Sequence, residues 1–129
     1  MRKTNKEDLY RMIGASNHSA EDREENDYYS TDEDCVRDLL RVESFSHTIL
    51  EPCCGEGAIS KTLEEAGYEV ISSDLIDRGY GKTGVDMFSY HDVDYDAITN
   101  QPYGLASDAA SHFLKEAKPG RKIALFLKI

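Results

Sequence analysis

The apolar residues of this chain change their spacing several times, and that alternation leaves few folds open. Apolar runs at residues 48–51, 68–72, 96–100 and 123–129 read as strands, and the stretches between them are spaced for helices. Strands of this kind, nearly continuous in apolar residues and separated by helices, build parallel sheets covered on both faces. The expected fold class is therefore α/β, with a mostly parallel sheet and helices on both sides. Ligands in such sheets bind beyond the carboxyl ends of the strands, where the strand order reverses. Glu51, Asp74 and Asn100 all fall at or beside predicted strand ends, so they should meet in one crevice.

Ordered structure is expected from about residue 27, giving a flexible lead-in over 1–26 and a core over 27–129. A short helix near residues 6–13 is compatible with the lead-in, and 14–26 reads as loop. Val36, Leu39 and Leu40 predict a helix over residues 31–43, with Ser30 and Glu33 spaced as a capping box. Ile59, Leu63 and Ala66 mark a second helix face that Gly67 should stop. Ala106, Ala109, Ala110, Phe113, Leu114 and Ala117 form a third helical stripe.

The most informative turn is Glu51-x-x-x-Gly55-x-Gly57, which follows a strand and opens a helix. A dinucleotide fingerprint would carry a further glycine where this chain has Ser60. A carboxylate before the turn suits a cationic ligand better than a pyrophosphate. Asp74, about twenty residues beyond the turn, stands where a ribose diol is usually held by a bidentate acceptor. These features point to a nucleoside-containing ligand. The plainer account is a structural turn with a surface carboxylate.

The histidines His18, His47, His91 and His112 lie apart and show no metal-ligand spacing, so no metal is assigned. Cys35, Cys53 and Cys54 suit neither a disulfide framework nor a zinc site, and reduced, buried thiols are expected. No apolar run has the length of a membrane span and no leader pattern opens the chain; a cytoplasmic protein is expected. The net charge of −10 opposes DNA binding by this piece alone, because phosphate contacts need Lys and Arg.

Three motifs resemble the adenine-N6 DNA methyltransferases of bacteria and phages, in their short phage-type form. They are Glu51-Pro52-Cys53-Cys54-Gly55-Glu56-Gly57, Ser73-Asp74-Leu75 and Thr99-Asn100-Gln101-Pro102-Tyr103. The run from Asn26 to Thr31 also resembles that family's upstream cofactor motif. The resemblance implies a Rossmann-like class I methyltransferase fold, incomplete here after the fifth strand, and S-adenosylmethionine as cofactor. It implies that Tyr28, Tyr29, Ser30 and Thr31 border the methionine part of the cofactor. Glu51, Cys53, Gly55 and Gly57 would surround its amino-acid and sulfonium portion. Asp74 would bind the ribose, Leu75 would pack on the adenine, and Asp86 and Met87 would lie near the adenine amine. Asn100, Gln101, Pro102 and Tyr103 would hold the target base. The family usually has proline where this chain has Gln101, which restores a backbone donor and frees φ.

Three alternatives compete with a DNA adenine methyltransferase. One is a cofactor-binding subunit without catalysis. Another is a methyltransferase for RNA adenine or a protein glutamine. The third is a nicotinamide dehydrogenase, which gives no reason for Glu51 or the Asn-x-Pro-Tyr turn. The apolar residues 123–129 would leave an aggregation-prone sheet edge. The expectation is a truncated chain, or a partner or second copy covering that edge. The missing part would supply the basic surface for DNA.

Overall fold

The computed structural model describes residues 31–127. Tyr28, Tyr29, Ser30 and the lead-in lie outside the described residues. Three helices and four strands follow in the order α1 (Glu33–Val42), β1 (Thr48–Glu51), α2 (Ala58–Glu65), β2 (Glu69–Ser72), β3 (Asp96–Thr99), α3 (Ala106–Glu116) and β4 (Ile123–Leu125). Short 3-10 turns at Met87–Ser89 and Tyr103–Leu105 precede β3 and α3 respectively.

The strands form one parallel sheet in the order β2-β1-β3-β4. From β1 the chain steps outward to β2, then returns to the other side of β1 for β3. The strand order therefore reverses between β1 and β3. Alternate residues of these two central strands face opposite layers. Ile49 and Ile98 pack with Val36 of α1 and with Ile59 and Leu63 of α2. Leu50 and Ala97 pack with Leu105, Ala109 and Phe113 around α3. Helices thus cover both faces, as the apolar spacing requires. Phe113 is fully buried, and truncating such a side chain to alanine costs about 3–5 kcal/mol.

Asp96 is a buried charge with a structural reason. Its carboxylate accepts from the Ser46 N–H at 2.7 Å and the Lys122 N–H at 2.8 Å. It ties the approaches to β1 and β4 to the start of β3, at the end of the sheet away from Glu51 and Asn100.

Several local expectations need correction. The N-cap of α1 is Asp32, whose side chain accepts from the Asp34 N–H at 2.9 Å; the Ser30 half of the expected capping box lies outside the described residues. The Asx cap satisfies one of the exposed N–H groups of the first turn. Cys35 is an exposed thiol, because it lies off the apolar face that carries Val36. Ala66 is the exposed C-cap of α2 rather than part of its buried stripe. Leu114 of α3 is 72% exposed, since the buried face of that helix runs through Ala109 and Phe113. Gly67 stops α2 as expected, with its N–H bonded to the Glu64 carbonyl and the Tyr68 N–H to the Leu63 carbonyl.

No fifth strand appears among the described residues. Beyond β2 there is only an isolated parallel bridge between Ser73 and Lys82. Gly79, Gly81 and Gly84 take φ values of 87°, 70° and 72°, which bend the backbone out of any extended ladder. At the other edge, β4 is regular over Ile123–Leu125, with Phe126 and Leu127 outside it; residues 128–129 of the expected run lie outside the described residues.

Candidate functional site

The carboxyl ends of β1, β2 and β3 carry the residues singled out above. Register sets β1 beside β2 with Glu51 opposite Ser72, and β1 beside β3 with Leu50 opposite Ala97. Asn100 therefore emerges next to the turn that begins at Pro52. This is the side of the sheet, and the pair of strands, where the order reverses.

The turn is built from backbone bonds to the end of β2. The Ser73 N–H donates to the Glu51 carbonyl at 3.0 Å, and the Cys54 N–H donates to the Ser73 carbonyl at 2.9 Å. The Gly55 N–H donates to Asp74 Oδ2 at 2.8 Å, while Asp74 Oδ1 accepts from the Ile76 N–H at 3.1 Å. An amide that a pyrophosphate would use is thus already held by a carboxylate, which argues against a dinucleotide in this turn. Each carboxylate oxygen has a second lone pair, so Asp74 retains acceptor capacity.

Ser60 explains the absent third glycine. That glycine normally allows close helix–strand packing. Here Ser60 is fully buried, and its hydroxyl accepts from the Ser72 hydroxyl at 2.7 Å, joining α2 to β2.

Gly57 has a role the motif did not suggest. It caps α2 with φ of 93°, and a Cβ there would stand 2.6 Å from the Tyr80 ring. Tyr80 donates to Glu64 Oε1 at 2.6 Å, and the Lys61 ammonium stands 5.2 Å from its ring centroid. Gly81 is packed equally closely against Cys54 Sγ. The loop after β2 therefore clasps the glycine turn. Burial and the Glu64 carboxylate push the Tyr80 hydroxyl up to about 12. The only sequence signal for this clasp was an aromatic residue between two glycines.

Glu51 is 1% exposed. Its Oε1 accepts from the Cys53 N–H at 2.9 Å, whereas Oε2 has no hydrogen-bond partner among the described residues. Burial pushes this carboxyl up to about 8, and the negative charge of Asp74 adds to the shift. The nearby Thr99 hydroxyl and the Cys53 N–H oppose it. Thr99 Oγ1 is itself buried and falls short of a completed hydrogen bond. Thr99, quoted in the strand-end motif but given no role there, lies buried beside Glu51. Burial holds the Cys53 thiol well above its ordinary range and the Cys54 thiol at about 12, so both stay protonated. Cys53 Sγ contacts Met87 Sδ at 3.8 Å.

The remaining candidates fall as follows. Asp86 Oδ1 caps the turn at Met87–Ser89 by accepting from the Phe88 N–H at 2.9 Å. Met87 is buried, and Leu75 is half-buried against the same apolar cluster. Asn100 Nδ2 donates to Thr31 Oγ1 at 2.9 Å, which brings the residue before α1 to the end of β3. Gln101 is buried, with Nε2 donating to the Phe126 carbonyl at 3.2 Å and Oε1 without a hydrogen-bond partner among the described residues. Pro102 precedes the 3-10 turn that Tyr103 opens, and Tyr103 is half-buried.

The result is an α/β chain with an acid-lined site at the reversal of a parallel sheet. Comparison with protein-family models, curated proteins and solved structures gives no match to the chain. No helix among the described residues is long and apolar enough to cross a membrane.

Proposed function

We propose that this chain is the cofactor-binding and catalytic core of a Rossmann-like class I methyltransferase that uses S-adenosylmethionine and acts on the N6 amine of adenine in DNA. The observation that carries the reading is the meeting, at the β1–β3 reversal, of a buried carboxyl with an unsatisfied oxygen and the Asn100–Tyr103 turn. The donor set fits the cofactor: Glu51 offers a buried acceptor to a cation, and Asp74 offers lone pairs to ribose hydroxyls.

S-adenosylmethionine supplies an electrophilic methyl group on a sulfonium. The residues of the chain must make a poor nucleophile attack it. The lone pair of an adenine amine is delocalised into the ring, and attack turns the nitrogen tetrahedral and positive. Acceptors aimed at its N–H bonds stabilise that state above the planar one. Asn100 Oδ1 and the Gln101 carbonyl are assigned that role. Asn100 Nδ2 donates to Thr31 Oγ1, and Oδ1 is the branch of the carboxamide that would face the amine. The buried Gln101 side chain donates to the Phe126 carbonyl, so the departure from proline adds a link to the residue that follows β4. Tyr103 would stack on the extruded base, where stacking contributes about 1–3 kcal/mol.

A second reading, a cofactor-binding subunit that does not methylate DNA alone, is favoured by the net charge of −10. Incubation with methyl-labelled cofactor and adenine-containing duplex DNA separates the two. Label recovered as N6-methyladenine, and lost in Asn100→Ala, supports the enzyme. Label that binds the chain without reaching DNA supports the subunit.

A further inference from the structure

A buried carboxyl flanked by acid groups poses a problem of charge. Among the described residues, Glu51 takes one backbone donor, from Cys53, and its second oxygen takes none. Among the described residues, the titratable groups acting on it are Asp74 beyond β2 and the Cys53 and Cys54 thiols of the turn. From β3 it faces the Thr99 hydroxyl, whose own hydrogen bond is incomplete. None of these groups is a cation. An ionised carboxylate in such a place needs either a partner charge or a proton.

We propose that Glu51 is a proton-exchanging receptor: it is neutral in the empty protein and gives up one proton when a cationic group, sulfonium or ammonium, settles against Oε2. The inference rests on the cofactor reading and adds a property to it. The balance is simple: the neutral carboxyl and a ligand cation become a carboxylate–cation pair, and the proton passes to solvent. Two requirements are met at once. Oε2 gains its missing partner, and the low-dielectric site holds a neutral pair in place of a lone charge. Burial supports the neutral empty state, since it lifts this carboxyl to about 8. Selectivity follows, because a neutral nucleoside gives Glu51 no counter-charge and so no reason to ionise.

Calorimetry of the whole chain with S-adenosylmethionine, in buffers of differing ionisation enthalpy at about pH 6.5, reads the exchanged proton directly. The ligand α-amine, which titrates near about 8, is already charged there and adds little. The expected result is release of about one proton per bound ligand, with affinity rising about tenfold per pH unit below the Glu51 transition. Adenosine, the neutral probe, should bind without proton exchange. Glu51→Gln keeps an acceptor for the Cys53 N–H and should bind the cofactor with no pH dependence from this site. A carboxyl-carbon titration of the unliganded wild-type chain guards against a variant that fails to fold. Its Glu51 midpoint should fall near about 8. A midpoint in the ordinary carboxylate range, or cofactor binding with no proton released, overturns the inference and leaves the cofactor reading standing. Absence of cofactor binding overturns both.

Discussion

The Asn100 side chain reaches back across 69 positions to donate to the Thr31 hydroxyl at 2.9 Å. This bond couples the segment before α1 to the end of β3 and sets the orientation of the carboxamide. Thr31→Val removes the acceptor and should cost about 1 kcal/mol in chemical denaturation, with Thr31→Ser close to wild type. If the chain methylates adenine, Thr31→Val should also lower kcat on the order of tenfold with KM little changed, because transition-state alignment is what is lost. Equal activity in the valine and serine variants would remove Thr31 from the site.

Gly57 and Tyr80 make a second testable pair. Gly57→Ala places a methyl group against the Tyr80 ring and forces a non-glycine residue to φ of 93°. A loss of about 2–4 kcal/mol is expected from overpacking and backbone strain together. Adding Tyr80→Ala should recover the overpacking part only, so the double mutant is less destabilised than the sum of the singles. Thermal unfolding of the four proteins reads the cycle. Strict additivity would show that the ring does not rest on the glycine.

Asp74 holds the glycine turn through the Gly55 N–H and its own loop through the Ile76 N–H. Asp74→Ala leaves both donors without this acceptor and should weaken S-adenosylmethionine binding by about tenfold or more, each lost charged hydrogen bond being worth about 1.5–3 kcal/mol. Asn100→Ala should leave cofactor affinity near wild type. Titration calorimetry distinguishes them, and equal losses in both variants would contradict the division between a cofactor half and a base half.

The Glu51 carboxyl also predicts how folding depends on pH. Its folded-state value of about 8 lies above the ordinary 4.5. Between those values the folded chain binds the extra proton, so its contribution to stability is full below the lower value. It declines as pH rises and is lost once pH passes the upper one. Glu51→Gln should flatten that decline, as read from denaturation midpoints between about pH 5 and about pH 8. An unchanged slope in the variant would mean that the Glu51 carboxyl does not titrate there.

The order of elements was legible in the sequence because burial on both faces of a parallel strand leaves continuous apolar runs. Ile49, Leu50, Ala97 and Ile98 are all buried, each pair dividing between the two layers. Glu51, Asp74 and Asn100 could be placed together from topology alone, since strand ends in such a sheet share one rim. Side-chain partners could not be read this way. The roles of Gly57 under Tyr80 and of Ser60 against Ser72 come from contacts made after the chain folds. In the sequence Thr99 is part of a motif without a role of its own, and its burial close to Glu51 and Cys53 is what marks it out. The α1 cap at Asp32 was not legible because several nearby side chains could serve and local geometry chose among them.

The most direct measurement is a crystal structure of the chain with S-adenosylmethionine. The account predicts the sulfonium beside Glu51 and Gly55, the ribose on Asp74, and the methyl group directed toward Asn100. A ligand bound elsewhere, or a methyl group facing away from Asn100, would contradict it.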